Sequence, residues 1–298
     1  MDTAQNPAFS ISPFDLGQNI RNGRAPLLLD VCRTPRFTAN THMLANATRC
    51  APEDVSAYAA AHPAGDVVVY CVYGHEVSQG AAATLRAAGW NAQFLAGGIE
   101  GGEDGVDPPA AVAQWRTDAP PRMLKRPDLG ATGEAPSRWI TRERPKIDRI
   151  ACPWLIQRFI DPRAEFFYVP TAQVFDEAQR LQAMAYDIPG APISHTGLEG
   201  ELCSFDALLA AFELKIPALD LLARIVRGAD TDRLDLTPES AGLLAVSLGM
   251  SSLHQDDHVM LRAMLPVYDA LYRSCVRAVA QEKEAHNWKP ETMQGISV

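Results

Sequence analysis

The chain has 298 residues, of which 47% are hydrophobic and 21% are charged, and its formal net charge at pH 7 is −9. This much apolar surface excludes a wholly disordered chain, and no apolar run reaches the length of about 18 residues that spans a membrane. An acidic chain is a poor general partner for nucleic acid, so direct DNA binding is not favoured, although a local basic patch could still contact DNA. The N-terminus lacks the basic start and apolar core of an export signal, so we expect a cytoplasmic protein without a membrane partner.

The first hundred residues alternate strand and helix patterns. Short apolar runs at 26–31, 66–70 and 90–95 are typical of buried parallel strands, and helical patterns lie at 52–62 and 77–89. Strands that alternate with helices at these spacings predict an α/β domain, with a parallel sheet flanked by helices, over residues 1–102.

The composition changes after residue 102. Six prolines and several glycines lie between residues 103 and 136, which indicates a linker or an irregular arm. We expect the second domain, residues 137–298, to be mainly α-helical with some strand (α+β). Two candidate strands lie at 137–141 and 164–169, and helical patterns lie at 151–160, 171–184, 205–213, 218–227, 238–248 and 256–284.

A cysteine directly follows the strand pattern at 66–70 and precedes a helix. The loop consists of Cys71, Val72, Tyr73, Gly74, His75 and Glu76. Backbone N–H groups of such a loop favour a thiolate, and the same cradle can hold a persulfide. Asp30 ends the neighbouring strand, so we expect it at the same edge of the sheet and treat it as a second catalytic candidate. The alternative is a buried, inert cysteine.

Three segments carry a resemblance in the first half: Leu28-Leu-Asp30-Val31, Tyr70-Cys71-Val-Tyr-Gly74 and Leu95-Ala-Gly97-Gly98-Ile99. In this order they resemble a rhodanese domain over about residues 10–102. The resemblance implies a doubly wound α/β fold that transfers sulfur through a persulfide on Cys71, from a small sulfur donor to a protein sulfur acceptor. Glu76 stands where the family often has an arginine that holds the donor anion. A carboxylate there would repel thiosulfate, and His75 could supply compensating charge.

A dense charged run precedes the helical pattern at 151–160. Its cations Arg142, Arg144, Lys146 and Arg149 suit an oxyanion such as chromate beside a helix N-terminus, although a solvated run of ion pairs is the alternative.

Later in the chain stand three residues of types that bind Fe, Mn or Zn: His195, Asp230 and Asp257. Their spacing matches no metal motif. A helical, apolar domain should not bury so many charges unless they pair or hold a ligand, so we expect these residues and the four cations to line one pocket. Guanidinium groups dominate the charged run, which slightly favours an oxyanion over a metal cofactor.

The same region carries a second resemblance. The run TRERPKIDRIACPWLIQRFID from Thr141 to Asp161, with IVRGADTDR from Ile225 and YDALY from Tyr268, resembles the C-terminal domain of the ChrB family of chromate resistance proteins. The resemblance extends over about residues 137–288. It implies a part in chromate resistance, with control of chromate export genes proposed for some members, and it assigns no catalytic residue.

Three functions remain open on these grounds. The chain is a sulfurtransferase in oxyanion stress, a chromate-sensing regulator with an inactive rhodanese domain, or a scaffold.

Overall fold

The computed structural model describes residues 9–196 and 201–281. The first part of the chain contains β1 (Ser10–Ile11), α1 (Pro13–Arg21), β2 (Leu27–Asp30), α2 (Thr34–Ala39), β3 (His42–Leu44), β4 (Ala47–Arg49), α3 (Val55–Ala61), β5 (Asp66–Tyr70), α4 (Glu76–Ala87), β6 (Asn91–Leu95), α5 (Pro109–Asp118) and β7 (Arg122–Leu124). The second part contains β8 (Arg138–Arg142), α6 (Asp148–Leu155), β9 (Glu165–Val169), α7 (Val174–Leu181), β10 (Met184–Ala185), α8 (Ser204–Ala211), α9 (Pro217–Asp230), α10 (Pro238–Leu253) and α11 (Asp257–Val279).

The first half is built on a five-stranded parallel sheet with the order β1-β6-β5-β2-β4. Successive side chains of a strand point to opposite faces, and β5 shows this directly. Val67 and Val69 pack with residues of α3 and α4, whereas Val68 and Tyr70 join the core on the other face. The prediction of a parallel sheet flanked by helices is confirmed.

The second half is mainly helical, as predicted, with a small parallel sheet of order β10-β8-β9. The helix expected at 151–160 begins earlier, at Asp148, and continues as a π-helix over Ile156–Ile160. The apolar periodicity starts only at Ile150, which hides the charged first turn from a pattern search. Helix α11 continues through Pro266 and ends at Val279, and the last part of the helix expected at 256–284 lies outside the described residues.

The Pro/Gly-rich stretch between the halves contains regular structure. Pro109 stands in the first turn of α5, where its missing N–H costs nothing. Strand β7 pairs antiparallel with β3, so that Met43 lies opposite Met123, and the N–H of Leu124 donates to the Phe212 carbonyl at 2.9 Å. The stretch therefore contacts both halves of the chain.

One buried cluster extends across the two halves. It includes Leu16 and Tyr70 from the first half and Trp154 and Tyr272 from the second. The Tyr272 hydroxyl also donates a hydrogen bond to the backbone carbonyl of Arg21 in α1. In the part of the chain that the structure describes, no helix combines the length and the apolar character needed to cross a membrane.

Candidate functional site

The Cys71 thiol lies at the carboxyl end of β5, where the chain turns into α4. The residue is 5% exposed, and its Sγ donates to the Ser78 hydroxyl at 3.1 Å. A cavity of about 240 Å³ opens beside it, and Arg33 and Arg36 line this cavity together with the loop. The thiol thus borders a cavity whose wall carries two arginines and two glutamates, Glu76 and Glu103.

The hydrogen bonds that the backbone of this loop makes to the rest of the domain are accepted by its carbonyl groups. The carbonyls of Cys71 and Val72 accept the N–H groups of Ile99 and Glu100 at 2.9 Å each, and Gln79 donates to the Gly74 carbonyl. By contrast, the N–H groups of residues 72–75 have no hydrogen-bond partner among the described residues. Unpartnered N–H groups of successive loop residues are the donors that hold an anion in such a cradle.

The turn at Gly97 and Gly98 supports the loop by direct backbone contact. A Cβ at Gly98 would lie 2.5 Å from the carbonyl oxygens of both Cys71 and Val72, and the φ of Gly98 is +60°. Only glycine combines this left-handed backbone with so close an approach. The shape of the Cys71 loop therefore depends on this residue.

The charged residues of the loop pair with neighbours. Glu76 lies 3.5 Å from Arg33, with both side chains exposed, and His75 Nε2 lies 2.8 Å from the carboxylate of Asp107. His75 Nδ1 lies 3.7 Å from Glu103. The cation nearest to Glu76 therefore comes from the loop after β2, and the charge of a protonated His75 is balanced by two carboxylates.

Asp30, the second catalytic candidate, is buried and makes its contacts with Cys32 and Arg49. It is 3% exposed, accepts the N–H of Cys32 at 2.9 Å and lies 3.8 Å from the Arg49 guanidinium. Among the described residues no hydrogen bond links it to Cys71. Burial, followed by the nearby Asp30 carboxylate, raises the pKa of the Cys32 thiol well above its usual range.

The second half brings four ligand-type side chains to one point, which we call the acidic–histidine centre: Asp148, Asp187, His195 and Asp230. The Nε2 atom of His195 lies 3.1 Å from Asp230 Oδ2, 3.3 Å from Asp187 Oδ1 and 3.8 Å from Asp148 Oδ2. Asp148 is 1% exposed and His195 is 34% exposed at the side chain. The centre therefore extends from the core to the surface on the histidine side.

Separate structural elements supply these side chains. Asp148 is the first residue of α6, Asp187 and His195 follow β10, and Asp230 is the last residue of α9. The backbone has a positive φ at two residues of this region, 40° at Ile147 and 52° at Asp187, and it is strained at Ile147. A positive φ is rare for a β-branched residue and often marks functional positions.

Hydrogen bonds fix the two buried carboxylates. Asp148 accepts the N–H groups of Ser204 at 2.5 Å and Phe205 at 3.1 Å, at the N-terminus of α8. Asp187 accepts the Ser204 hydroxyl at 2.8 Å on one oxygen and faces Arg142 at 3.1 Å and Arg149 at 3.4 Å with the other. Both side chains are thus held in one orientation.

The burial and the proximity of these groups shift their pKa values. Burial, then the charges of Asp187 and Asp230, raises the pKa of Asp148 to about 8. Hydrogen bonds to Asp187 and Asp230 raise the pKa of His195 to about 10. Burial alone would raise the pKa of Asp187, but bonds from His195 and Ser204 and the two arginines hold it below its usual range. Asp148 and His195 therefore bind protons more tightly than free side chains do, because both lie among negatively charged carboxylates.

Known proteins resemble the two halves of the chain separately. Residues 139–275 match the family model described as ChrB, C-terminal domain. The curated Protein ChrB of Cupriavidus metallidurans is 31% identical over 175 residues, which are 54% of this chain and 52% of that protein. Residues 139–275 are thus similar to the C-terminal domain of ChrB, and below we use the name ChrB domain for this matching region. The whole chain spans about half the length of this curated relative.

Solved structures resemble the part of the chain that precedes the ChrB domain. A rhodanese homolog from Thermus thermophilus is 27% identical with a TM-score of 0.26 and covers 30% of this chain and 96% of its own. A full-length protein from Lactobacillus plantarum is 22% identical with a TM-score of 0.31 and covers 39% and 88%. The yeast protein Ygr203w, described as a tyrosine phosphatase of the rhodanese family, is 14% identical with a TM-score of 0.24 and covers 30% and 79%.

The four cations that were expected to line one pocket in the ChrB domain lie at different places in the structure. Arg142 and Arg149 reach the acidic–histidine centre through Asp187. Arg144 lies elsewhere, because its guanidinium donates to the carbonyls of Ser251 and His254 at the end of α10. Lys146 is half-buried and makes no side-chain hydrogen bond or ion pair within the described residues. The four cations therefore do not form one wall.

Only two of the three expected metal ligands of the ChrB domain lie together. His195 and Asp230 lie together, but the Asp257 carboxylate accepts the backbone N–H of Arg144 at 3.2 Å instead of facing His195. Asp148 and Asp187 were not predicted from the sequence. Asp148 stands inside the most specific run of the domain, next to Arg149, which was the one available signal, whereas no sequence motif marks Asp187.

Proposed function

We propose that the protein acts in the cytoplasm in resistance to chromate and related oxyanions, and that its first half carries sulfur as a persulfide on Cys71. The ChrB domain supports the part in chromate resistance. The arrangement of the loop supports the chemistry, since the thiol lies at the carboxyl edge of a parallel sheet and the N–H groups of residues 72–75, which follow it, have no hydrogen-bond partner in the described part of the chain. This loop is the single observation that carries the sulfur-transfer proposal.

The reaction begins with the deprotonated thiol of Cys71. The thiolate attacks the outer sulfur of a donor such as thiosulfate, the sulfur–sulfur bond of the donor breaks, and sulfite leaves with the bonding electron pair. The persulfide that forms is an anion at neutral pH, and the free N–H groups of the loop stabilise it. A thiol of a protein acceptor then attacks the terminal sulfur and restores the Cys71 thiolate.

The test is the intact mass of the full chain after incubation with thiosulfate and gel filtration. We expect a gain equal to one sulfur atom, and we expect Cys71→Ser to lose this gain completely. Cys50→Ser is the matched control, because Cys50 is also buried in the first half and its pKa is raised to about 11 by burial. A gain that persists in Cys71→Ser, or no gain in the unchanged protein, would refute the proposal.

Glu76 provides a second prediction. Replacing Glu76 by arginine places a third cation near Arg33 and Arg36 at the mouth of the cavity and removes the carboxylate that repels an anionic donor. We expect the rate of persulfide formation from thiosulfate to rise by about tenfold, which corresponds to about 1.4 kcal/mol of transition-state stabilisation. The rate is measured by following the mass gain with time at low salt.

A suitable control is Asp66→Arg, which makes the same charge change at the opposite end of β5 and should leave the rate unchanged. The salt dependence adds a check, since a screened electrostatic effect must shrink as ionic strength rises. An unchanged or lower rate in Glu76→Arg would show that this side chain does not face the donor.

The competing function is a chromate-sensing regulator in which the first half is inactive. It predicts no sulfur uptake at Cys71 and a chromate-dependent shift of the DNA upstream of its own gene in a gel assay at fixed salt. The net charge of −9 weighs against direct DNA contact.

A further inference from the structure

We propose that the acidic–histidine centre of the ChrB domain binds one divalent first-row metal ion, with Asp148, Asp187, His195 and Asp230 as ligands. Ligand atoms that share an ion at about 2.0–2.2 Å lie about 3.0–3.5 Å from one another. The distances of 3.1 and 3.3 Å from His195 Nε2 to two carboxylate oxygens fall in this range, and the third, 3.8 Å, is close to it. The ligand atoms of Asp148, Asp187 and His195 also all lie within 4.8 Å of one another, and Asp230 Oδ2 lies 3.1 Å from His195 Nε2.

The hydrogen-bonding capacity of His195 supports the same conclusion. The Nε2 atom carries at most one hydrogen, which can bond well to only one acceptor. Three carboxylate oxygens from three different elements nevertheless lie within 3.8 Å of it. A single metal cation between these groups can interact with all three oxygens and with the unprotonated imidazole. One proton on His195 cannot bond to all three oxygens.

The two buried carboxylates accept hydrogen bonds of the kind that support the ligands in metal sites. Metal ligands are normally held by further hydrogen bonds that fix their orientation. Asp187 receives such bonds from Ser204 and Arg142, and Asp148 receives the backbone N–H groups at the start of α8. His195 is 34% exposed and Asp230 18%, which gives an ion a path from solvent.

An oxyanion fits this centre less well than a metal does. The groups that converge on His195 are carboxylates, which repel chromate, sulfate and phosphate. The two nearby guanidinium groups, Arg142 and Arg149, already face Asp187. Three carboxylates with one imidazole suit Mn²⁺, Fe²⁺ or Zn²⁺. We choose Mn²⁺ as the probe because thiols bind it poorly and the chain has six cysteines.

The experiment uses the full chain, stripped with chelator and titrated with Mn²⁺, while electron paramagnetic resonance counts the free ion. We expect one Mn²⁺ per chain and a rise in melting temperature on binding. Asp187→Asn and His195→Ala should weaken the affinity at least about tenfold, as loss of a supporting group alone does. Asp235→Asn removes the same charge at an exposed position five residues after Asp230 and should bind like the unchanged protein.

Asp230→Asn keeps the test decisive if the buried variants fail to fold, because Asp230 lies at the end of α9 and is partly exposed. Absence of a stoichiometric Mn²⁺ ion, or equal affinity in Asp230→Asn and the unchanged protein, would overturn the proposal. A rise in melting temperature with inorganic sulfate but not with Mn²⁺ would overturn it in favour of an anion site. Sulfur uptake at Cys71 concerns the other half of the chain, so either proposal can fail without the other.

Discussion

Replacing Gly98 by alanine is expected to abolish sulfur uptake at Cys71 and to destabilise the fold by at least about 2 kcal/mol. The added Cβ would lie 2.5 Å from the backbone oxygens of Cys71 and Val72, which are rigid parts of the loop. The left-handed backbone at Gly98 adds a further cost for any residue with a side chain. The measurements are the denaturant midpoint and the mass gain after thiosulfate.

Gly80→Ala serves as the control, since Gly80 lies in α4 with open space around its Cα and an ordinary helical backbone. That variant should be more stable by about 0.5–1 kcal/mol, because alanine favours a helix interior, and it should take up sulfur normally. If Gly98→Ala kept the sulfur uptake of the unchanged chain, the loop would not depend on the backbone contact described above.

Replacing Trp154 by alanine should have the largest effect on stability, a loss of about 3–5 kcal/mol. Trp154 is fully buried, and its ring centroid lies 5.2 Å from that of Tyr272 and 5.8 Å from that of Phe159. Its indole N–H also donates to the Asp269 carboxylate at 2.8 Å. Removal leaves a large cavity in the core that both halves share, so chemical denaturation should show one transition at a lower midpoint.

Trp154→Phe separates packing from hydrogen bonding in the same position. It keeps most of the aromatic volume but loses the bond to Asp269, so its cost should be clearly smaller than that of the alanine variant. Two separate transitions in Trp154→Ala, with the first half unaffected, would contradict a shared core.

The sequence predicted the long elements well because their signals are local. Strand β5 was predicted at 66–70 and is observed at Asp66–Tyr70, since three consecutive valines follow a proline and a glycine. Strands β3 and β7 gave no such signal. Each has three residues, and their pairing joins segments about 80 residues apart, which no periodicity within either segment can show.

The candidate site was predictable only in part, for a related reason. His195 and Asp230 drew attention as ligand-type residues at the ends of elements, and the structure places them together. Asp257 has the same chemistry, but its partner is the backbone of Arg144, a tertiary contact that residue type does not indicate. Asp187 comes from a short loop after a two-residue strand, so only the fold could bring it beside Asp148.

The pairing of β7 with β3 also limits how the two halves can move. A hinge-like closure of one half on the other would have to break this pairing, the bond from Leu124 to Phe212 and the contact between Tyr272 and Arg21. Bistable domain motions need a connection that absorbs large backbone changes, and the proline-rich stretch is instead tied to both sides. Any coupling between the two halves would therefore act through small repacking of the buried cluster that they share, to which Tyr70, the residue before Cys71, belongs.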